Sequence, residues 1–325
     1  MLAATSYFGN RILRHVRTDV RRLREEGFDI VVHTFSENDL RFYQRSVRDI
    51  VAVTREAGMR AWIDPWGVGG VFGGEAFSDA ALHHRDWLQV ASNGDRLPAC
   101  CPSNPGFRAF LREWSDAAVE TGANAVFWDE PHFYSDEKES SSCYCEYCRD
   151  AADRGKSAIG SFLGEVCARV KSRGRENVVC MLPPRPERKG NVVWSEIAAL
   201  DGVTNFGSTP FWGMRGEEPE KYVACVAREL KEVASRTSIQ THLWIQGFRI
   251  PAGKEDEIRR SAIVAGESGV DVIAIWGIDA CESMSFLSCE RPLVAWAAFL
   301  RAIAELRGRP EKGSGQVENK ENSPP

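Results

Sequence analysis

No apolar run in this sequence approaches the roughly 18 residues needed to cross a bilayer, which excludes a membrane-spanning helix. Positive charge is not in excess. The formal net charge is −5 with the basic residues scattered, which argues against a nucleic-acid or anionic-membrane surface. The first residues, MLAATSYFGNRILRH, lack a long apolar core behind a basic start, so no signal peptide is expected and the cytoplasm is the expected location. Missing too is a phosphate loop. The glycine run Gly67–Gly74 has no Lys-Ser/Thr ending and leads into no helix at once, and reads instead as a flexible lid. Phe8-Gly9-Asn10-Arg11, after the first strand-like segment, is not a dinucleotide turn. No internal repeat is visible beyond an alternation of strands and helices.

What is present is that alternation. Eight strand-like segments are expected at Ala3–Phe8, Phe28–Phe35, Arg60–Asp64, Ala125–Trp128, Val178–Leu182, Val203–Gly207, Ile239–Ile245 and Val272–Trp276, each followed by a helical pattern. Most are continuously apolar, as parallel strands buried on both faces must be. Eight β/α units in about 300 residues predict a single α/β domain, a closed (β/α)8 TIM barrel spanning 1–308. The tail 309–325 is polar and rich in Pro, Gly and Ser, and reads as disordered. Two connections are long, from Pro65 to about Asn104 and from Pro131 to Cys148. Both follow strand C-termini, where barrels carry their chemistry.

The stretch Asn124 to Cys148 organises the reading. An apolar strand runs into Asp129 and Glu130, then Pro131 and His132, and closes on Cys143, Cys145 and Cys148 with C-x-C-x-x-C spacing. Adjacent residues of a strand point to opposite faces, so the two acids can act together only if the backbone adjusts between them. Other acids end strands as well: Glu37 after the second, Asp64 in Ile63-Asp64-Pro65-Trp66, Asp279 and Glu282 after the eighth. Any of these could be a solvated charge or a helix cap. Asp64 is favoured because it adjoins the fourth strand and stands beside Trp66. Trp66, Trp212, Trp244 and Trp276 fall near strand ends and suggest a wall for stacking sugar rings, with core packing as the plain alternative. Glycoside hydrolysis needs two carboxylates, one to protonate the leaving oxygen and one to attack or to activate water.

Three thiols within six residues of a polar loop can ligate zinc if a fourth ligand comes from elsewhere, and Cys100 and Cys101 lie on the other long loop. A four-thiolate site would be structural, with no open position. A disulfide or free thiols remain open on spacing alone. Cys167, Cys180 and Cys225 sit in apolar patterns and read as buried thiols. His83-His84 has no ligand-like partner and gets no role.

These motifs resemble glycoside hydrolase family 42. That family carries a C-P-x-S-P-like stretch before its third helix, an Asn-Glu ending its fourth strand, and a C-Y-C-x-x-C loop leading into a Phe-x-x-Trp-Leu-like helix. This chain has Cys101-Pro102-Ser103-Asn104-Pro105, Asp129-Glu130, Cys143-Tyr144-Cys145-Glu146-Tyr147-Cys148 and Ser161-Phe162-Leu163. The likeness covers about Cys101 to Leu163. It extends to loosely described barrel proteins of the same clan that bear this loop, and is stronger to those. It implies Cys101, Cys143, Cys145 and Cys148 as ligands of a structural zinc and no organic cofactor. It implies Glu130 as general acid/base, a small carbohydrate or glycoside as substrate, and a homo-oligomer, since the family often forms trimers. Asp129 stands where the family has Asn. The clan's nucleophile, a Glu ending the seventh strand, is replaced by Gln246, which cannot serve. The expectation is therefore a glycosidase in which Glu130 donates the proton, Asp129 or Asp64 supplies the second carboxylate, and Glu37, His132, Gln246 and Asp279 bind hydroxyls. The alternatives are a carbohydrate-binding barrel without catalysis and a barrel lyase or metal-dependent hydrolase.

Overall fold

The computed structural model of the chain describes residues 1–134, 143–151, 157–184 and 194–308. The expected disordered tail, 309–325, lies outside the described residues.

Eight parallel strands close into a barrel: β1 (Leu2–Tyr7), β2 (Ile30–Thr34), β3 (Arg60–Asp64), β6 (Ala125–Asp129), β7 (Glu176–Met181), β8 (Val203–Ser208), β9 (Gln240–Gln246) and β10 (Val272–Trp276). β1 pairs with both β2 and β10, which completes the ring. The remaining two strands, β4 (Leu88–Val90) and β5 (Arg96–Cys100), form a separate antiparallel hairpin between β3 and the next barrel helix. Helices α1 (Leu13–Glu26), α2 (Glu37–Phe42), α3 (Gln44–Glu56), α4 (Asp79–His83), α5 (Pro105–Glu120), α6 (Ala158–Ser172), α7 (Trp194–Ala198), α8 (Pro219–Thr237), α9 (Asp256–Glu267) and α10 (Pro292–Leu306) complete the set.

Local chemistry explains the helix ends that frame the site. α1 buries Val16, Val20 and Leu23, one stripe at helical spacing. It stops where Gly27 adopts a φ of 99° and donates its N–H to Leu23 and Arg24 carbonyls, a left-handed turn that glycine takes without cost. α2 opens on a capping box between Ser36 and Asp39. α5 opens on Asn104, whose side chain accepts the N–H groups of Gly106 and Phe107, with Pro105 at the first helical position.

Two cores result. One lies between strands and helices. The other fills the barrel with Val32, Trp62, Phe127, Trp244 and neighbouring side chains. Cys167 and Cys180 are buried as expected, but Cys225 is exposed on α8. The apolar pattern around it belongs to Val223 and Val226, and Cys225 falls on the outer face of the same turn. The Gly67–Gly74 run is a packed wall rather than a loose lid: Val68, Val71 and Phe72 are buried in the outer core.

Candidate active site

The C-terminal end of β6 delivers Asp129 and then Glu130. The backbone turns sharply between them. Glu130 has a φ of 42°, in the left-handed region, while its N–H stays bonded to the Cys180 carbonyl on β7 at 2.9 Å. That turn is the adjustment the sequence demands. Out of a regular strand the two acids would diverge; with it, both face one cavity of about 340 Å³. Asp64, the last residue of β3, lines the same cavity, as does Glu75 beyond the glycine run. The glycines are needed here. Gly73 donates its N–H to the Asp129 carbonyl at 3.0 Å, and a Cβ on it would lie 2.4 Å from Asp129 Oδ2.

Crowding carboxyl groups in a buried pocket raises their proton affinity. Burial pushes Asp64 well above the usual carboxylate range, and Asp129, Glu75 and Glu130 add to the effect. Burial does the same to Asp129, reinforced by Glu130 and Glu75. Glu75 is raised by burial and by Glu130, against its own backbone N–H. Glu130 is also raised by burial, but the Thr209 hydroxyl bonded to its Oε1, together with His132 and Arg215, pulls the other way. The protons therefore belong to the cluster rather than to single residues. Asp64 Oδ1 is buried with no partner among the described residues.

The aromatic and polar residues expected at the rim divide. Trp244 and Trp276 line the cavity. Trp66 does not. It stacks behind Trp276 with ring centroids 5.9 Å apart, and against Phe8. Trp212 is buried in the outer core. Glu37 is no hydroxyl binder. As the first residue of α2 its carboxylate accepts the N–H groups of Gly69 and Ala80 and the Ser78 hydroxyl, at 2.8, 2.6 and 2.7 Å, and so moors the glycine wall. Gln246 is used up by backbone: its Oε1 accepts from Gly213 N–H and its Nε2 donates to the Phe248 carbonyl. Asp279 turns outward to Arg22 on α1, 2.8 Å away. His132 lies beside the cavity and donates from Nδ1 to the Glu130 carbonyl at 2.5 Å, which pins the turn. Glu37, Gln246 and His132 share a cause: a polar residue just past a strand end is often consumed by loop backbone groups, whereas Asp279 is taken by a helix side chain.

Several lining residues escaped the sequence reading: Glu75, Thr209, Phe211, Arg215, Phe248 and Arg249. All sit on loops after strands, and their approach to the cavity depends on loop geometry. Thr209 and Phe211 follow directly on β8, and that place just past a strand end was the one signal the sequence held for them.

Behind the cavity, Cys101, Cys143, Cys145 and Cys148 are buried with all four sulfurs within 4.8 Å of one another. None of the ten cysteines is in a disulfide. A tetrahedral zinc with bonds of about 2.3 Å sets its sulfurs about 3.8 Å apart. Cys101 and Cys148 are 3.4 Å apart and Cys101 and Cys145 3.6 Å. Backbone N–H groups of Ser103 and Val90 point to the sulfurs of Cys101 and Cys143, each at 3.4 Å, as suits thiolates. The donor set fits a closed metal site. It ties the β4–β5 hairpin to the β6–α6 connection, which Tyr144 N–H joins to the Val90 carbonyl at 2.8 Å.

No family model and no curated protein matches the chain. Solved structures do match in fold. An endo-1,4-β-mannanase from Rhizomucor miehei superposes with a TM-score of 0.65 at 10% identity, covering 94% of this chain and 95% of that one. An endo-β-1,4-mannanase from Thermotoga petrophila gives 0.60 at 12%, covering 95% and 77%. A D-psicose 3-epimerase from Clostridium cellulolyticum gives 0.51 at 10%, covering 95% and 99%. The chain is a TIM barrel. At these identities the likeness is one of architecture.

Proposed function

We propose that this protein hydrolyses a glycosidic bond. The observation that carries the reading is the left-handed turn at Glu130, which brings adjacent acids and Asp64 into one pocket at the C-terminal mouth of the barrel. Glu130 is the least buried of the three and protonates the leaving oxygen. Asp129 or Asp64, deeper in the pocket, supplies the second carboxylate, which attacks the anomeric carbon or activates water. Trp244 and Trp276 form the apolar walls against which a sugar ring rests. The mannanase neighbours are in keeping with this reading. The resemblance to family 42 implies the same role for Glu130.

The four cysteines would hold a structural zinc. Such a metal has no open coordination position and supplies bracing, not chemistry. A second reading rests on Gln246: with no acid at the end of β9, the pocket could hold sugar without cleaving it.

The test is a screen of oligosaccharides and aryl glycosides for released sugar, repeated with Glu130→Gln and Asp129→Asn. Hydrolysis by the native protein that falls at least about 100-fold in Glu130→Gln supports the proposal, since general-acid catalysis contributes about 10² to 10⁴. Full activity in that variant sinks it. Binding without turnover favours the second reading.

A further inference from the structure

Several buried side-chain polar atoms have no hydrogen-bond partner among the described residues. Three of them belong to residues that line the cavity: Ser6 Oγ on β1, Asp64 Oδ1 on β3 and Trp244 Nε1 on β9. All three residues are less than 5% exposed. Other orphans inside the barrel, on Trp62, Asn205 and His242, belong to residues that do not line it. Burying a polar group without a partner costs about 1 to 3 kcal/mol, so a ligand that pairs with these three lining side chains would be favoured.

The three atoms differ in what they accept. The Trp244 indole N–H only donates. An ionised Asp64 oxygen only accepts, and a protonated one can donate. The Ser6 hydroxyl does both. A group that satisfies the indole and an ionised Asp64 together must both accept and donate. A sugar hydroxyl does this. A carboxylate, sulfate or phosphate oxygen only accepts and would leave the ionised Asp64 oxygen facing another acceptor. Packing supports a fixed donor: the Trp244 ring stands edge-on to Phe127 from β6, with centroids 5.4 Å apart, so its N–H is held in place.

We propose that Ser6, Asp64 and Trp244 form a specificity subsite that recognises neutral hydroxyl groups of the sugar seated in the cavity. The idea rests on the glycosidase reading for its ligand class, but it concerns binding and holds whether or not the bond is cleaved. Trp244 then acts through its N–H as well as its face, and Ser6 is a specificity residue that no motif announces. The subsite selects against a substrate with an anionic substituent at the recognised position.

The experiment is calorimetric binding, with Glu130→Gln to suppress turnover. Glucose, galactose and mannose are the probes, each with its monodeoxy derivatives and the matching uronic acid. Trp244→Phe removes the N–H and keeps a ring; Ser6→Ala removes the hydroxyl at little cost in volume. At least one sugar should bind, and each substitution should weaken it about tenfold. That loss should vanish for the one deoxy derivative lacking the recognised hydroxyl, because the interaction is already gone. Should Trp244→Phe fail to fold, Ser6→Ala carries the same comparison. Equal losses across all derivatives, no loss at all, or no binding by any of the three sugars would overturn the proposal. Hydrolysis screening of the native protein is a separate readout, so loss of the glycosidase reading alone would show as binding without cleavage.

Discussion

At the scale of single residues, the site works by placing charge where charge is disfavoured. Asp64 and Asp129 are held where burial raises their affinity for protons, which a structure built for stability alone would avoid. The sign of the consequence is fixed. A carboxyl whose folded-state pKa lies above its unfolded value of about 3.9 binds its proton more tightly when folded, so stability falls as pH rises through that window. Asp64→Asn removes the ionisable group. It should therefore raise Tm at pH 7 by roughly 2 °C or more, a gain that disappears below about pH 4, and it should abolish activity if Asp64 rather than Asp129 is the second carboxylate. Thermal unfolding across pH checks this, and a lower Tm at neutral pH would contradict it. Gly73→Ala is the steric counterpart. Its new methyl would strike Asp129 Oδ2, and if Asp129 is the proposed second carboxylate, displacing it by about 1 Å would cost on the order of 100-fold in rate. Steady-state kinetics should show the loss in kcat, with near-native binding.

At the scale of elements, the strands were legible and the loops were not. Arg60–Asp64 and Val272–Trp276 run as expected from continuous apolar composition, and the other six strands differ at their ends by one or two residues. Burial on both faces leaves a simple signature. The loops hold no such signature, because backbone groups and side chains compete there for the same partners. Glu37, Gln246 and Asp279 are polar residues near strand ends, as Asp64 is, yet each is claimed by a neighbouring loop or helix. The thiol loop was the exception, since metal-ligand spacing is written into the chain itself. Its four cysteines converge, and a zinc held there would clamp the hairpin to the loop that follows Glu130. About one zinc per chain is expected by elemental analysis. Removing it with a chelator should lower Tm by several degrees while the released zinc, added back, restores it. Absence of bound metal in protein purified under reducing conditions would refute the clamp.

At the scale of the whole molecule, closure of the barrel is what converts scattered strand ends into a site. β3 and β6 are neighbours in the ring although about 60 residues separate them in sequence. Ser6 on β1 and Trp244 on β9 reach the same cavity from other sectors of the ring. The β/α alternation revealed that convergence in outline, whereas the turn at Glu130 depended on contacts that no linear pattern encodes. Among the described residues no helix is long and apolar enough to cross a membrane. The most direct measurement of the central claim is mass spectrometry of products formed in water enriched in heavy oxygen, using whichever glycoside the screen identifies. The expected result is one heavy oxygen at the anomeric carbon of the released sugar, none in the leaving group, and no product with Glu130→Gln. An intact glycoside, or a sugar isomerised without cleavage, would contradict it.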